Sequence, residues 1–278
     1  MTQPLDRYTQ VDGLRTRYWE MGEGPPLVLV HGLGASVETW ERNIEALSEA
    51  HHIYAPDLLG YGRTEKPEID YTLEAFVDFA VAFMDAMALS RADLLGHSLG
   101  GAIVLRLAIE HPERVDRLVV ADGAAIGEHM SFSLRLVALP LVGELLLRPR
   151  REKTAQALRA LYHDPTMVTE ELIEHNYEMI TMPGAQRAYL STVRNLATPL
   201  GIRDEVRSAI KARLDEVKAP VLLLWGAEDQ LVPVDDAVAA RERLADAQLV
   251  VIEAAGHNVM VERPERFNEA VRSFLASP

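Results

Sequence analysis

Cysteine is absent from this chain of 278 residues. That excludes a disulfide framework, a thiolate nucleophile and a cysteine-ligated zinc, and leaves the cytoplasm as the default compartment. Positive charge is scarce: 28 Lys and Arg stand against 42 Asp and Glu, a formal net charge of −14. Such a balance speaks against binding through nucleic-acid phosphates or anionic membranes and serves solubility instead. Long apolar runs are missing too, and a membrane span needs about 18 such residues. The nearest candidate, Leu136 to Leu147, is short and is interrupted by Pro140, Gly143 and Glu144. Met1 to Gln10 is polar and lacks the basic-then-apolar order of a secretory signal. No glycine-rich phosphate loop appears, and neither internal repeats nor low-complexity tracts occur.

What remains is an ordinary globular composition, 48% hydrophobic and 25% charged, enough for one large domain with a sizeable insertion. Short apolar runs alternate with helix-patterned stretches, the signature of a mostly parallel sheet with crossover helices. The expected strands are Leu27–Val30, His52–Ala55, Ala92–Leu95, Leu118–Ala121, Val221–Trp225 and Leu249–Ile252. Ahead of them, Tyr8–Val11 and Arg15–Trp19 flank Asp12-Gly13, a turn signal for an antiparallel edge hairpin. Helices are expected near Val37–Ser48, Leu73–Met87, Leu99–Glu110, Asp235–Leu244 and Pro264–Phe274. Residues 124–214 break the rhythm, with helix-like pieces between prolines and no convincing strand. That span is too long for a plain loop, so residues 1–123 and 215–278 are expected to form a core and 124–214 a helical lid.

Gly96-His97-Ser98-Leu99-Gly100 fits G-x-S-x-G between an expected strand and an expected helix, the context this motif requires. There the turn holds Ser98 in a strained conformation above the carboxyl edge of the sheet, and glycines leave room for it. A serine hydroxyl needs a base within hydrogen-bond reach. Among nine histidines His257 stands out, because it follows the last strand-like run. His51 and His52 begin a strand, His111 ends a helix, and His129, His163 and His175 fall in the lid. An acid must hold the imidazole tautomer. Asp229, four residues past Trp225, is the choice, with Asp122 after Ala121 as its competitor. Leu33 and Leu99 are expected to supply oxyanion-hole N–H groups, and Gly32 and Gly34 to let the backbone approach a bound substrate.

Together, His31–Gly34, Asp57–Thr64, Gly96–Gly101, Gly226–Pro233 and Gly256-His257 resemble the α/β-hydrolase superfamily. Within it, the chain is similar to the branch of small bacterial esterases, haloperoxidase-like enzymes and carbon–carbon hydrolases. The resemblance spans roughly residues 8–123 and 215–278. It implies a mostly parallel eight-stranded sheet flanked by helices, and its serine–acid–histidine order matches Ser98, Asp229 and His257. A serine at position 98 also argues against haloalkane dehalogenases and epoxide hydrolases, which use aspartate there. Carbon–carbon hydrolases often carry Asn before the serine, and this chain has His97. The expected activity is hydrolysis of a small-molecule carboxylic ester through an acyl-enzyme, with no metal or other cofactor. Alternatives are carbon–carbon bond hydrolysis or perhydrolysis with the same triad, or a small-molecule receptor on a hydrolase scaffold. The leucine- and methionine-rich lid suggests an apolar acyl pocket, with Leu134–Leu147, Met130, Met179 and Met182 as walls and Val259 and Met260 below. Asp57–Thr64 is expected to shape the entrance and pack the sheet end.

Overall fold

The computed structural model describes residues 4–127 and 129–276; the first residues of the polar N-terminal stretch lie outside them. Strands β1 (Arg7–Val11) and β2 (Leu14–Met21) form the expected hairpin around Asp12 and Gly13, whose φ angles of 49° and 80° give a turn that suits right-twisted strands. Further along come β3 (Pro26–Val30), β4 (His52–Pro56), β5 (Ala92–His97) and β6 (Val115–Ala121). The strands β7 (Ala197–Thr198) and β8 (Gly201–Ile202) pair only with each other. Finally β9 (Val221–Gly226) and β10 (Ala247–Ile252) complete an eight-stranded sheet of order β1-β2-β4-β3-β5-β6-β9-β10. Within this sheet only the β1–β2 and β2–β4 pairs are antiparallel. This is the α/β-hydrolase fold.

Both faces are covered, which is why the inner strands read as apolar runs instead of alternating. On one face α2 (Leu73–Ala86), α3 (Leu99–Glu110) and α10 (Val234–Arg241) enclose a core that includes Phe76, Phe83, Ile103 and Trp225. On the other, α1 (Ile44–Ser48), α11 (Val259–Glu262) and α12 (Pro264–Leu275) pack on Trp40, Leu222 and Leu224. Helix α12 shows why: Pro264 opens it, and Phe267, Val271 and Phe274 place one apolar stripe against the sheet. The helix expected over Val37–Ser48 is split into a 3₁₀ turn, Val37–Trp40, and α1. Buried Asn43 sits at the break, where its amide donates to Met260 O and to Asn268 Oδ1.

Between β6 and β9 the chain runs through α4 (Phe132–Val137), α5 (Val142–Leu146), α6 (Arg151–Arg159), α7 (Glu170–Thr181), α8 (Ala185–Leu196) and α9 (Asp204–Ala209). The β7–β8 hairpin corrects the expectation that this segment holds no strand. Its arms are two residues long and turn through Pro199-Leu200, too short to leave a periodic signal.

Strand order reverses beside β3: β4 lies on one side of it and β5 on the other. The loops leaving β3 and β5 therefore diverge and open a crevice at the carboxyl edge, where open α/β sheets place ligands.

Candidate active site

Ser98 occupies the turn between β5 and α3 with φ 55° and ψ −116°, a conformation costly for a non-glycine residue. The turn is possible because Gly96 and Gly100, two positions to either side, have no side chains. A Cβ on Gly96 would lie 2.2 Å from Gly100 O, and one on Gly100 would lie 2.0 Å from Val30 O. His257 Nε2 lies 2.9 Å from Ser98 Oγ, and His257 Nδ1 lies 2.8 Å from Asp229 Oδ2. The other carboxylate oxygen of Asp229 accepts from the N–H groups of Leu231 at 2.7 Å and Val232 at 3.0 Å, which fixes its plane. With Nδ1–H held by the carboxylate, Nε2 is free to take the serine proton. All three residues are buried, with Ser98 only 9% exposed.

Asp122 is fully buried, and one of its oxygens accepts from Gly226 N–H at 2.9 Å while the Val259 N–H also points to its carboxyl. Its remaining oxygen has no partner. Burial, and then the negative charge of Asp229, push this carboxyl well above the ordinary range. Its partners are the last residue of β9 and the first of α11 rather than the His257 ring.

The N–H groups of Leu33 and Leu99 donate to no acceptor among the described residues. Leu99 opens α3, so its N–H belongs to the helix's unsatisfied positive end. Gly32 lies against the serine: a Cβ there would stand 3.0 Å from Ser98 Cβ. Gly34 has φ 70°, and a Cβ on it would meet the Tyr189 ring at 2.8 Å. Fully buried His31 clamps this loop; it donates from Nδ1 to Gly32 O and accepts at Nε2 from Leu58 N–H, both at 2.9 Å. Burial drives its pKa down to about 4, so it stays neutral. Asp57 accepts from Val37 N–H and Arg63 N–H, and so ties the Asp57–Thr64 segment to the same sheet end.

Several contacts here left no mark in the sequence. The ring of His97 donates from Nε2 to the carbonyl of His257 at 2.8 Å and lies 4.9 Å from the His257 ring, so it is a positioning residue. Its Nδ1 is buried without a partner, and burial lowers its pKa well below the usual value. Leu161 O accepts from the His257 N–H at 2.9 Å. Buried Glu262 accepts from Gly256 N–H at 2.7 Å and from Asp164 N–H at 3.1 Å, bridging the histidine loop to the segment after α6. Tyr189 on α8 rests on Leu33 and Gly34. His175 on α7 lies 3.1 Å from Ser36 Oγ and 3.3 Å from Glu38 Oε2, beside the same loop.

The apolar walls differ from expectation. Val259 and Met260 have no exposed surface and pack in the second core with Phe267, so neither side chain fronts space for a ligand. Met130 is half-buried ahead of α4, outside the apolar clusters. Leu141, Val142, Leu145 and Leu146 point outward to solvent, because α4 and α5 are too short to bury every apolar side. A cleft of about 560 Å³ on the outside of this segment, lined by Arg187, Arg194 and Arg203 among others, includes no triad residue. Among the described residues there is no group of acidic or histidine side chains suited to a metal ion, and no helix is long and apolar enough to cross a membrane.

Residues 25–264 match the family model described as alpha/beta hydrolase fold. The chain is 31% identical over 268 residues to 2-hydroxymuconate semialdehyde hydrolase of Pseudomonas sp. (strain CF600), which covers 95% of this chain and 91% of that protein. It is 29% identical over 277 residues to 2-hydroxy-6-oxo-2,4-heptadienoate hydrolase of Pseudomonas putida, covering 98% and 97%. Among solved structures, a meta-cleavage product hydrolase from Pseudomonas fluorescens IP01 superimposes with a TM-score of 0.83 at 30% identity, with 97% of each chain covered. By sequence, sheet order and site geometry alike, the chain belongs to the α/β-hydrolase family.

Proposed function

We propose that this chain is a serine hydrolase of carbon–carbon bonds, acting on 2-hydroxy-6-oxo-dienoates of the kind named for its relatives. The observation that carries this reading is similarity over almost the whole chain, cap segment included, to hydrolases of such compounds. It takes precedence over the ester expectation, since the triad geometry serves either bond.

In this reading Ser98 Oγ attacks the 6-oxo carbon while His257 Nε2 takes its proton, and Asp229 stabilises the imidazolium. The N–H groups of Leu33 and Leu99 receive the oxyanion, a contribution of the kind whose loss costs about 10²–10³ in turnover. Collapse breaks the bond to the neighbouring carbon. With that carbon already protonated in the 2-keto tautomer of the substrate, its 2-hydroxyl proton having moved there, the electron pair passes through the enone to the 2-oxygen, which takes the proton from His257. Water then attacks the acyl-serine with His257 again as base, releasing a carboxylic acid. One water is consumed: its hydroxyl ends on the acyl fragment and a hydrogen on the other. Residues 124–214 act as the cap that encloses the reaction.

Ester hydrolysis is the second reading, favoured by His97 at a position where carbon–carbon hydrolases often have Asn. The two separate in one comparison. The native chain and Ser98→Ala are given 2-hydroxymuconate semialdehyde, 2-hydroxy-6-oxo-2,4-heptadienoate and p-nitrophenyl esters from acetate to decanoate. Serine-dependent multiple turnover of a dienoate, seen as loss of its absorbance, with kcat/KM above that of every ester supports the proposal. Turnover confined to esters overturns it, and binding without turnover of either class would return the receptor reading.

A further inference from the structure

The outer face of the cap segment differs from the rest of the molecule in two independent ways. The first is apolar exposure. Phe132 is 71% exposed, Leu141 82%, Leu145 57% and Leu200 89%, with Val142 and Leu146 also open. These are six of the eleven large hydrophobic side chains exposed anywhere in the described residues. They belong together: α4 packs on α5 and on β7, and Arg135 on α4 donates to Pro199 O at 2.7 Å, which brings the Leu200 turn beside them. Apolar patches of this sort mark interaction sites.

The second is charge. Between Phe132 and Arg159 there are six cations, Arg135, Arg148, Arg150, Arg151, Lys153 and Arg159, and two acids, Glu144 and Glu152. The chain as a whole carries −14, while this stretch of sequence is net positive, with Arg151 paired to Glu170 and Glu174 of α7, the helix packed on α6. Arg148, Arg150 and Lys153 are exposed, and their side chains make no ion pair or hydrogen bond among the described residues. Arg148 and Arg150 follow directly on the leucines of α5, with Pro149 between them. Internal pairing does not consume the charge of these three side chains.

We propose that the outer face of the cap docks on an anionic lipid surface, with Leu141, Leu145 and Phe132 entering the headgroup boundary and Arg148, Arg150 and Lys153 meeting lipid phosphates. Apolar side chains bordered by unpaired cations fit that interface, where apolar burial and electrostatic attraction act together. A neutral protein groove would match the leucines and leave the arginines unused. The net charge that speaks against such a surface for the whole chain also orients the molecule: only this face is attracted, and the acidic remainder is repelled. The contact is peripheral, since no helix among the described residues is long and apolar enough to cross a membrane.

The test is co-sedimentation of the full chain with sucrose-loaded vesicles of equimolar phosphatidylglycerol and phosphatidylcholine, against phosphatidylcholine alone. Binding to the anionic vesicles at low salt, falling at least ~10-fold in about 1 M salt, where the Debye length shrinks to about 3 Å, is the expected result. Leu145→Asp and the double variant Arg148→Glu, Arg150→Glu should each weaken binding at least ~10-fold, because apolar burial and electrostatic attraction are both required. Both variants should keep native circular dichroism and serine-dependent turnover of a soluble substrate, because these side chains face solvent. Absence of binding to anionic vesicles, or equal binding to both vesicle types, overturns the proposal. So does a concentration-dependent dimer in sedimentation equilibrium that Leu145→Asp abolishes, which would assign the patch to a second copy of the chain.

Discussion

Two buried aspartates lie close together behind His257, and replacing each with asparagine separates their roles. Asp229→Asn preserves shape but replaces an acceptor of the Nδ1 proton with an amide, so the imidazole loses its useful tautomer. Turnover should fall by about 10⁴. Asp122→Asn should behave in the opposite way. The oxygen that accepts from Gly226 N–H is retained, and the amide nitrogen takes the place of an oxygen that has no partner. Burial, and then the charge of Asp229, favour the protonated form of Asp122, the form that an asparagine side chain resembles in charge. Turnover should therefore stay within about tenfold of native, a loss of at most ~1.4 kcal/mol of transition-state stabilisation. Stability supplies the second readout. A carboxyl whose folded pKa lies above its unfolded value of 3.8 holds a proton that the unfolded chain has lost. Native stability therefore declines as pH rises above about 4, by ~1.4 kcal/mol per pH unit for this one proton, until the folded group ionises. The asparagine variant lacks that slope. In urea titrations its stability relative to native should climb as pH rises above about 5 and level off once the folded carboxyl ionises. Parallel curves would refute the neutral Asp122. A 10⁴-fold loss in Asp122→Asn with Asp229→Asn spared would refute the choice of acid.

Other substitutions test the scaffold. Glu262→Ala strands the N–H groups of Gly256 and Asp164, each bonded to a charged acceptor, and should cost about 3–5 kcal/mol in urea unfolding and lower kcat. Unchanged stability would show that the bridge is idle. Gly100→Ala forces a methyl to within 2.0 Å of Val30 O, a backbone atom that cannot swing aside, so a loss above ~3 kcal/mol or failure to fold is expected. A soluble variant with native melting would contradict the crowding. Tyr61→Phe removes the 2.6 Å bond to Thr192 Oγ1, whose own donation to Ala188 O survives, so calorimetry should register only about 1–1.5 kcal/mol.

The expected strands were legible because this sheet is covered on both faces, and buried parallel strands appear as unbroken apolar runs such as Val221–Trp225. The span of α3 was equally plain, opening after the elbow serine and closing before Pro112. Ser98, Asp229 and His257 could be named because each follows a strand end, and strand ends converge at one edge. What stayed hidden depends on contacts across long sequence separations. His97 holds a carbonyl 160 positions away, and Glu262 reaches Asp164 across 98. Neither residue differs in local pattern from an ordinary loop or helix member. The leucines of α4 and α5 misled for another reason: periodicity reveals an apolar face but not which neighbour, if any, covers it.

The hydrogen bond from the His257 main chain to Leu161 O, together with the Glu262 bridge from Gly256 to Asp164, ties the loop that carries the base to the segment after α6. The imidazole is therefore seated in part by a stretch nearly a hundred positions away in the chain, outside the core that supplies the triad. A change of sequence in residues 161–164 reaches Ser98 through His257, without touching substrate.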